Sequence, residues 1–268
     1  KEFISLDGCY MSGADAAVGS HRYRIAIDTE GGHSYGAFGN RNAIAYLASL
    51  IDTLYSMKVP PMGRTTYNVG TISGGTSVNT IAQSAEMLYE YRSDDKRGLD
   101  QMRQQFQSLM WQLNSEDAKF ERELLGERPC GGDVDKKKQE NLLKRCETLI
   151  KKHTGKAPKR AAMSTDCNIP LSLGIPATCF GLYSGAGAHT REEYVEIDSL
   201  VPGIRFVFDI LLHHFLSEES CLFFLPDLCY TLFKRIPRRF PHEVLFASAP
   251  RPAGGTDSHG LRSGTHGY

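Results

Sequence analysis

The residues of this chain best placed to do chemistry sit in short runs of small residues. His189 stands in Ser184-Gly185-Ala186-Gly187-Ala188-His189-Thr190-Arg191-Glu192-Glu193-Tyr194, directly after an apolar, strand-like stretch. An imidazole in such a loop, just past a strand end and followed by charge, is placed to ligate a metal ion. On this stretch alone it is equally a surface histidine hydrogen-bonded to a neighbour. Asp7, in Phe3-Ile4-Ser5-Leu6-Asp7-Gly8, reads locally as an Asp-Gly turn after an edge strand. His33 lies between Gly31-Gly32 and Ser34, where a turn histidine is the plain local reading. Asn79 follows a Gly-, Ser- and Thr-rich stretch and suits a turn or helix cap, while Arg92 suits the solvated end of a strand.

The elements that must hold these residues follow from periodicity. His21 to Asp28 alternates as a strand, and Asn42 to Met57 puts Ile44, Leu47, Ala48, Ile51 and Leu54 at helical spacing until Pro60 and Pro61 stop it. Thr65 to Ile72 is rich in strand formers and Ala85 to Tyr91 gives another strand. After Asp94 and Asp95, the positions Leu99, Met102, Phe106, Leu109, Met110 and Leu113 mark an amphipathic helix, and Ala118 to Leu125 closes the unit as a strand. That order of strand, helix, strand, strand, helix, strand predicts a ferredoxin-like sandwich. Asp135 to Gly155 predicts a further helix, with Leu142, Leu143, Cys146, Leu149 and Ile150 on one face and lysines on the solvated side. Ser164-Thr165-Asp166 reads as a polar loop, Ile169-Pro170 as a turn, Ala177 to Leu182 as a buried strand, and Ser199 to Phe215 as a helix capped by Asp198 or Ser199.

Taken in order, these segments resemble the co-catalytic zinc metallopeptidase family that includes peptidase T, carboxypeptidase G, acetylornithine deacetylase and succinyl-diaminopimelate desuccinylase. The resemblance covers about residues 3 to 215. It implies an α/β fold: part of a zinc-peptidase catalytic domain with an inserted ferredoxin-like α+β lid domain. The implied division is residues 1–19 as the end of the first catalytic half, 20–130 as the lid and dimerisation domain, 131–215 as the second catalytic half, and 216–268 unassigned. It also implies that Asp7 and His189 ligate zinc. Two such ions about 3.5 to 4 Å apart clamp an attacking hydroxide and the scissile carbonyl. His33 resembles the lid histidine that reaches across the dimer to stabilise the oxyanion, and Asn79 and Arg92 resemble residues holding the substrate's carbonyl and carboxylate. The implied activity is cleavage of an amide bond in small peptides or N-acyl amino acids, in a homodimer formed through the lid.

The resemblance is incomplete. The family's first zinc histidine, its bridging aspartate and its Glu-Glu pair belong upstream of Asp7, and no His-x-Asp or Glu-Glu precedes it. Glu192-Glu193 is adjacent but stands after the final ligand. The chain is therefore expected to be the carboxy-terminal portion of a longer enzyme and inactive alone, since one carboxylate and one imidazole fall short of a tetrahedral zinc set and the general base is absent. A non-catalytic dimerisation and binding module is the alternative.

Composition bounds the rest. The 268 residues, 41% of them hydrophobic, suffice for ordinary cores, and a formal net charge of zero gives no electrostatic case for nucleic acid or an anionic membrane. Seven cysteines without regular spacing read as reduced thiols, which predicts a cytoplasmic protein. Residues 216–268 resemble nothing in the family. They mix Gly, Ser, Arg and His without hydrophobic period, so they are expected to be poorly ordered and their His259 and His266 are not counted as ligands.

Overall fold

The computed structural model describes residues 1–9, 12–113 and 120–215, so the expectations for the tail lie outside the described residues. In chain order the elements are β1 (Phe3–Leu6), β2 (Ser12–Ala17), β3 (Gly19–Asp28), β4 (Gly32–His33), α1 (Ala43–Ser56), β5 (Thr65–Gly74), β6 (Thr80–Ile81), β7 (Ser84–Ser93) and α2 (Lys96–Leu113). Then follow β8 (Phe120–Arg128), α3 (Lys136–Thr154), β9 (Lys159–Met163), α4 (Asn168–Ser172), β10 (Ala177–Phe180), β11 (Gly185–Ala186), β12 (Tyr194–Val195) and α5 (Leu200–Phe215).

From β3 to β8 the chain builds an antiparallel sheet in the order β5-β7-β3-β8. The two helices cover one face, because the strand side chains there are apolar at alternate positions: Tyr23, Ile25 and Ile27 on β3 and Met87, Tyr89 and Tyr91 on β7. Against them pack Leu47, Leu50 and Leu54 of α1 and Leu99, Met102 and Phe106 of α2. Asn42 starts α1 by accepting the Ile44 amide at 3.0 Å, and Met57 leaves it extended before the two prolines. This is the ferredoxin-like sandwich. The strand expected at Ala118 to Leu125 lies further on, at Phe120–Arg128, because Gly126, Glu127 and Arg128 pair with Arg22, His21 and Ser20 although they are polar.

The remaining residues form a second sheet, β1-β10-β2-β9, in which β1 runs parallel to β10 and β2 parallel to β9. The helices α3 and α5 bury Leu142, Leu149, Phe206 and Ile210 around Phe180. On the other core, Cys167 and Leu171 meet Ala14, Ala17 and Cys179. α3 runs from an Asp135 cap, whose carboxylate accepts the Lys137 and Lys138 amides, to Gly155 in the left-handed region. Strands β2 and β9 went unanticipated: their alanines and flanking lysine and arginine carry weak strand propensity, and pairing decides their state. The turn expected at Ile169-Pro170 is instead one turn of helix, α4, in which Pro170 sits near the start where no amide is required of it.

The chain passes from one unit to the other at Val18 and returns at Pro129. Asn168, only 1% exposed, donates from its amide to both of these carbonyls, at 2.8 and 2.9 Å. The Val18 amide is also tied, to Met163 at 2.9 Å.

Candidate functional site

Asp7 follows the carboxyl end of β1, and the chain leaving the carboxyl end of its parallel neighbour β10 leads on to His189, at the edge where open α/β sheets place their ligands. The Asp7 amide donates to the Phe180 carbonyl at 3.0 Å, the Leu182 amide donates to Gly8 at 2.9 Å, and Cys9 bridges Tyr183. The Cys9 thiol adds a contact to the Gly185 carbonyl at 3.4 Å. This junction requires Gly181: a Cβ there would lie 1.9 Å from the Cys9 carbonyl carbon. Beyond it, β11 and β12 form a short ribbon whose tip carries His189. Burial, then the neighbouring Cys9, Glu193 and Asp7, push the Tyr183 hydroxyl above its ordinary pKa, so Asp7 and the His189 turn share one neighbourhood around that ring.

Among the described residues His189 is the one non-glycine with positive φ, at 66°. Its amide donates to the Glu193 carboxylate at 3.2 Å, which helps hold the turn. A non-glycine residue in this region costs about 1 to 3 kcal/mol, and such strain clusters at functional sites. The donors here are of the right type for zinc, a carboxylate and an imidazole, but too few. No group of three or more His, Cys, Asp or Glu side chains able to hold a metal occurs among the described residues.

A second set of residues lies in the ferredoxin-like unit. β4 pairs with β6, aligning His33 with Thr80, and the Ser34 amide donates to the Asn79 carbonyl at 2.9 Å. His33 and Asn79 are thus brought together. The loop beyond β4 is closed by the Glu30 carboxylate, which accepts from the Arg41 amide at 3.0 Å and its guanidinium at 2.9 Å. Three large apolar side chains around the pair, Tyr35, Phe38 and Val78, are 91%, 91% and 102% exposed. Arg92 is not brought to this pair. It stands near the far end of β7, roughly 27 Å beyond Ser84 at about 3.4 Å per residue, and its guanidinium grips Glu90 through two bonds of 3.0 Å.

Sequence reasoning missed the groups that hold His33 and Asn79, namely the amides of Tyr35 and Gly36 and the Ser77 hydroxyl, and it missed Asn168 at the junction of the two units. Asn168 follows Ser-Thr-Asp, and that polar cluster before an apolar segment was the available cue.

Together these features define a class of protein, an α/β sheet unit carrying an inserted sandwich domain that brings its own polar residues. Residues 16–118 match the peptidase dimerisation domain family. It is 26% identical over 142 residues to the acetylornithine deacetylase of Myxococcus xanthus, which covers 53% of this chain and 36% of that protein. In fold it is similar to a tripeptidase from Staphylococcus aureus, with a TM-score of 0.60 and 20% identity over 78% of this chain and 56% of that one. It is also similar to the aminopeptidase PepT of Bacillus cereus, with a TM-score of 0.55 and 22% identity over the same shares, 78% and 56%. The chain therefore spans between about a third and just over half of the length of these relatives. No helix among the described residues is long and apolar enough to cross a membrane.

Proposed function

We propose that this chain supplies the lid and part of the catalytic unit of a zinc-dependent hydrolase that cleaves an amide bond in small peptides or N-acyl amino acids. The observation that supports the reading is the parallel pairing of β1 and β10, whose carboxyl ends lead to Asp7 directly and to His189 through the β11–β12 ribbon, with His189 held in a strained backbone conformation. In this reading Asp7 and His189 are two of the metal ligands, and further ligands and the general base come from outside the described residues. When bound, zinc would polarise the scissile carbonyl and acidify a water. The work of this chain's own residues is to fix two donors of that set and to present His33 and Asn79 to the substrate's oxygen.

The distance between Arg92 and the His33–Asn79 pair argues for two copies. One chain cannot bring all three to a single small ligand, whereas a twofold dimer can offer His33 and Asn79 from one protomer and Arg92 from the other. The free edge fits this. Among the described residues strand β5 pairs only with β7; it is ten residues long and carries no charge, which is a hazard unless its outer edge finds a twin. The opposite edge, β8, is protected by Glu121, Arg122, Glu123, Glu127 and Arg128. We assign the homodimer contact to β5, and the protein to the cytoplasm on its free thiols.

The second reading, a non-catalytic dimerisation and binding module, is favoured by the shortage of metal donors among the described residues. Metal stoichiometry of the purified chain separates the two. Zinc retained by the chain and lost in Asp7→Ala and His189→Ala variants supports the hydrolase, whereas an intact dimer that takes up none supports the module. The chain alone, given zinc, should not turn over dipeptides, tripeptides or N-acetyl amino acids, and appreciable turnover would overturn the incomplete-site reading.

A further inference from the structure

His33 and Asn79 each contain both a donor and an acceptor, so either could in principle accept a hydrogen bond from a ligand or donate one. The structure removes that ambiguity. The Nδ1 of His33 accepts two main-chain amides, those of Tyr35 and Gly36, both at 3.3 Å. A ring nitrogen that accepts carries no proton, so the neutral ring must bear its hydrogen on Nε2. The Oδ1 of Asn79 accepts the Ser77 hydroxyl at 2.8 Å. Ser77 has one proton to give, so in its contact with Thr80 at 2.6 Å it must accept, and the hydroxyls run in one direction, Thr80 to Ser77 to Asn79. Among the described residues neither the Nε2 of His33 nor the Nδ2 of Asn79 has a partner, and both residues are exposed.

We infer that Ser77 and the amides of Tyr35 and Gly36 are positioning groups that turn His33 and Asn79 into a donor-only pair, built to receive an electron-rich oxygen and unable to act as a base. The ligand class is a carbonyl, a carboxylate or the oxyanion of a tetrahedral intermediate, met by two neutral N–H groups. This rests on the reading that the pair faces substrate, but the arrangement itself exists without substrate. The main-chain bond from Ser34 to Asn79 and the β4–β6 pairing keep the two donors on one ledge. Neutral donors aimed at developing charge need no proton exchange at the moment of reaction, which is the condition for electrostatic stabilisation.

The test is a long-range proton–nitrogen correlation spectrum of the full chain labelled with ¹⁵N-histidine, recorded near pH 8 where imidazole is neutral. Among the nine histidines, His33 is assigned by the signal lost in His33→Gln. A single Nε2–H tautomer is expected. An Nδ1–H tautomer, or the mixture a free imidazole shows, overturns the inference while leaving the hydrolase reading untouched. Ser77→Ala should shift the Asn79 side-chain amide resonances towards those of a free carboxamide and leave the His33 tautomer unchanged, and Ser77→Thr should restore them. Unchanged Asn79 signals in Ser77→Ala would remove Ser77 from its positioning role. A dimer that takes up no zinc through Asp7 and His189, with the tautomer as expected, would sink only the functional reading.

Discussion

The main-chain amide of Ser34 donates to the carbonyl of Asn79 at 2.9 Å, joining two loops that are distant in the chain and each carry one polar candidate. That bond depends on the backbone of Gly32, whose φ of +134° is open to glycine and whose added Cβ would meet the Ala37 Cβ at 2.8 Å. Gly32→Ala should cost about 1 to 3 kcal/mol and raise hydrogen exchange at Ser34 and Ala37, while the cores around Phe106 and Phe180 keep their protection.

His189 offers a test in which stability and binding move in opposite directions. Left-handed backbone costs a non-glycine residue about 1 to 2 kcal/mol, so His189→Gly should be more stable than His189→Ala by about 1 kcal/mol in urea unfolding. Both variants should lose metal equally. Equal stabilities would mean that the turn holds no strain.

A pH dependence follows from His21, which is 1% exposed and lies under α2. Its Nε2 accepts from Arg103 at 2.8 Å, so its proton sits on Nδ1 and is given to the Tyr91 hydroxyl at 2.9 Å. Burial first, then the Arg103 charge, hold its pKa below the ordinary value, with Glu127 and Asp100 opposing. The unfolded chain therefore binds a proton that the folded one refuses. Stability should fall as pH drops from about 6.5 towards the lowered folded value, and His21→Gln should flatten that slope in thermal melts.

Charge on the β5 edge should break the dimer. Thr71→Lys is expected to give a monomer by sedimentation velocity, whereas Glu121→Lys on the opposite edge leaves the dimer intact. The reverse pattern would move the contact to β8.

Asn168→Ala leaves two part-buried carbonyls, of Val18 and Pro129, without the Asn168 donor. A cost of about 1 to 3 kcal/mol for each is expected. Unfolding followed by Trp111 in one unit and by hydrogen exchange around Phe180 in the other should separate into two transitions.

Much of the sandwich was legible because its helices and strands carry regular apolar spacing, as in Leu47, Leu50 and Leu54 or Tyr23, Ile25 and Ile27. Strands β2 and β9 were not, since Ala14, Ala17, Ala161 and Ala162 have little strand preference and depend on neighbours far along the chain. The candidates His33, Asn79, Asp7 and His189 stood out through glycine-rich surroundings, but what orients them did not. A hydroxyl such as Ser77 or a main-chain amide such as that of Gly36 carries no mark in sequence until the loop closes around it. Arg92 was visible as a charge, while its distance from His33 follows from strand register alone.

Gly19 lies so close to Cys130 that an added Cβ would fall 2.7 Å from its sulfur. The sandwich domain thus hangs from a neck only two strands wide, whose ends touch, with Asn168 as its rivet. Any swivel of that domain has to be absorbed in the few bonds of this neck. The same closeness means that a short turn could seal either side of the cut, so the sandwich can be lifted out, or grafted in, without pulling its two ends apart.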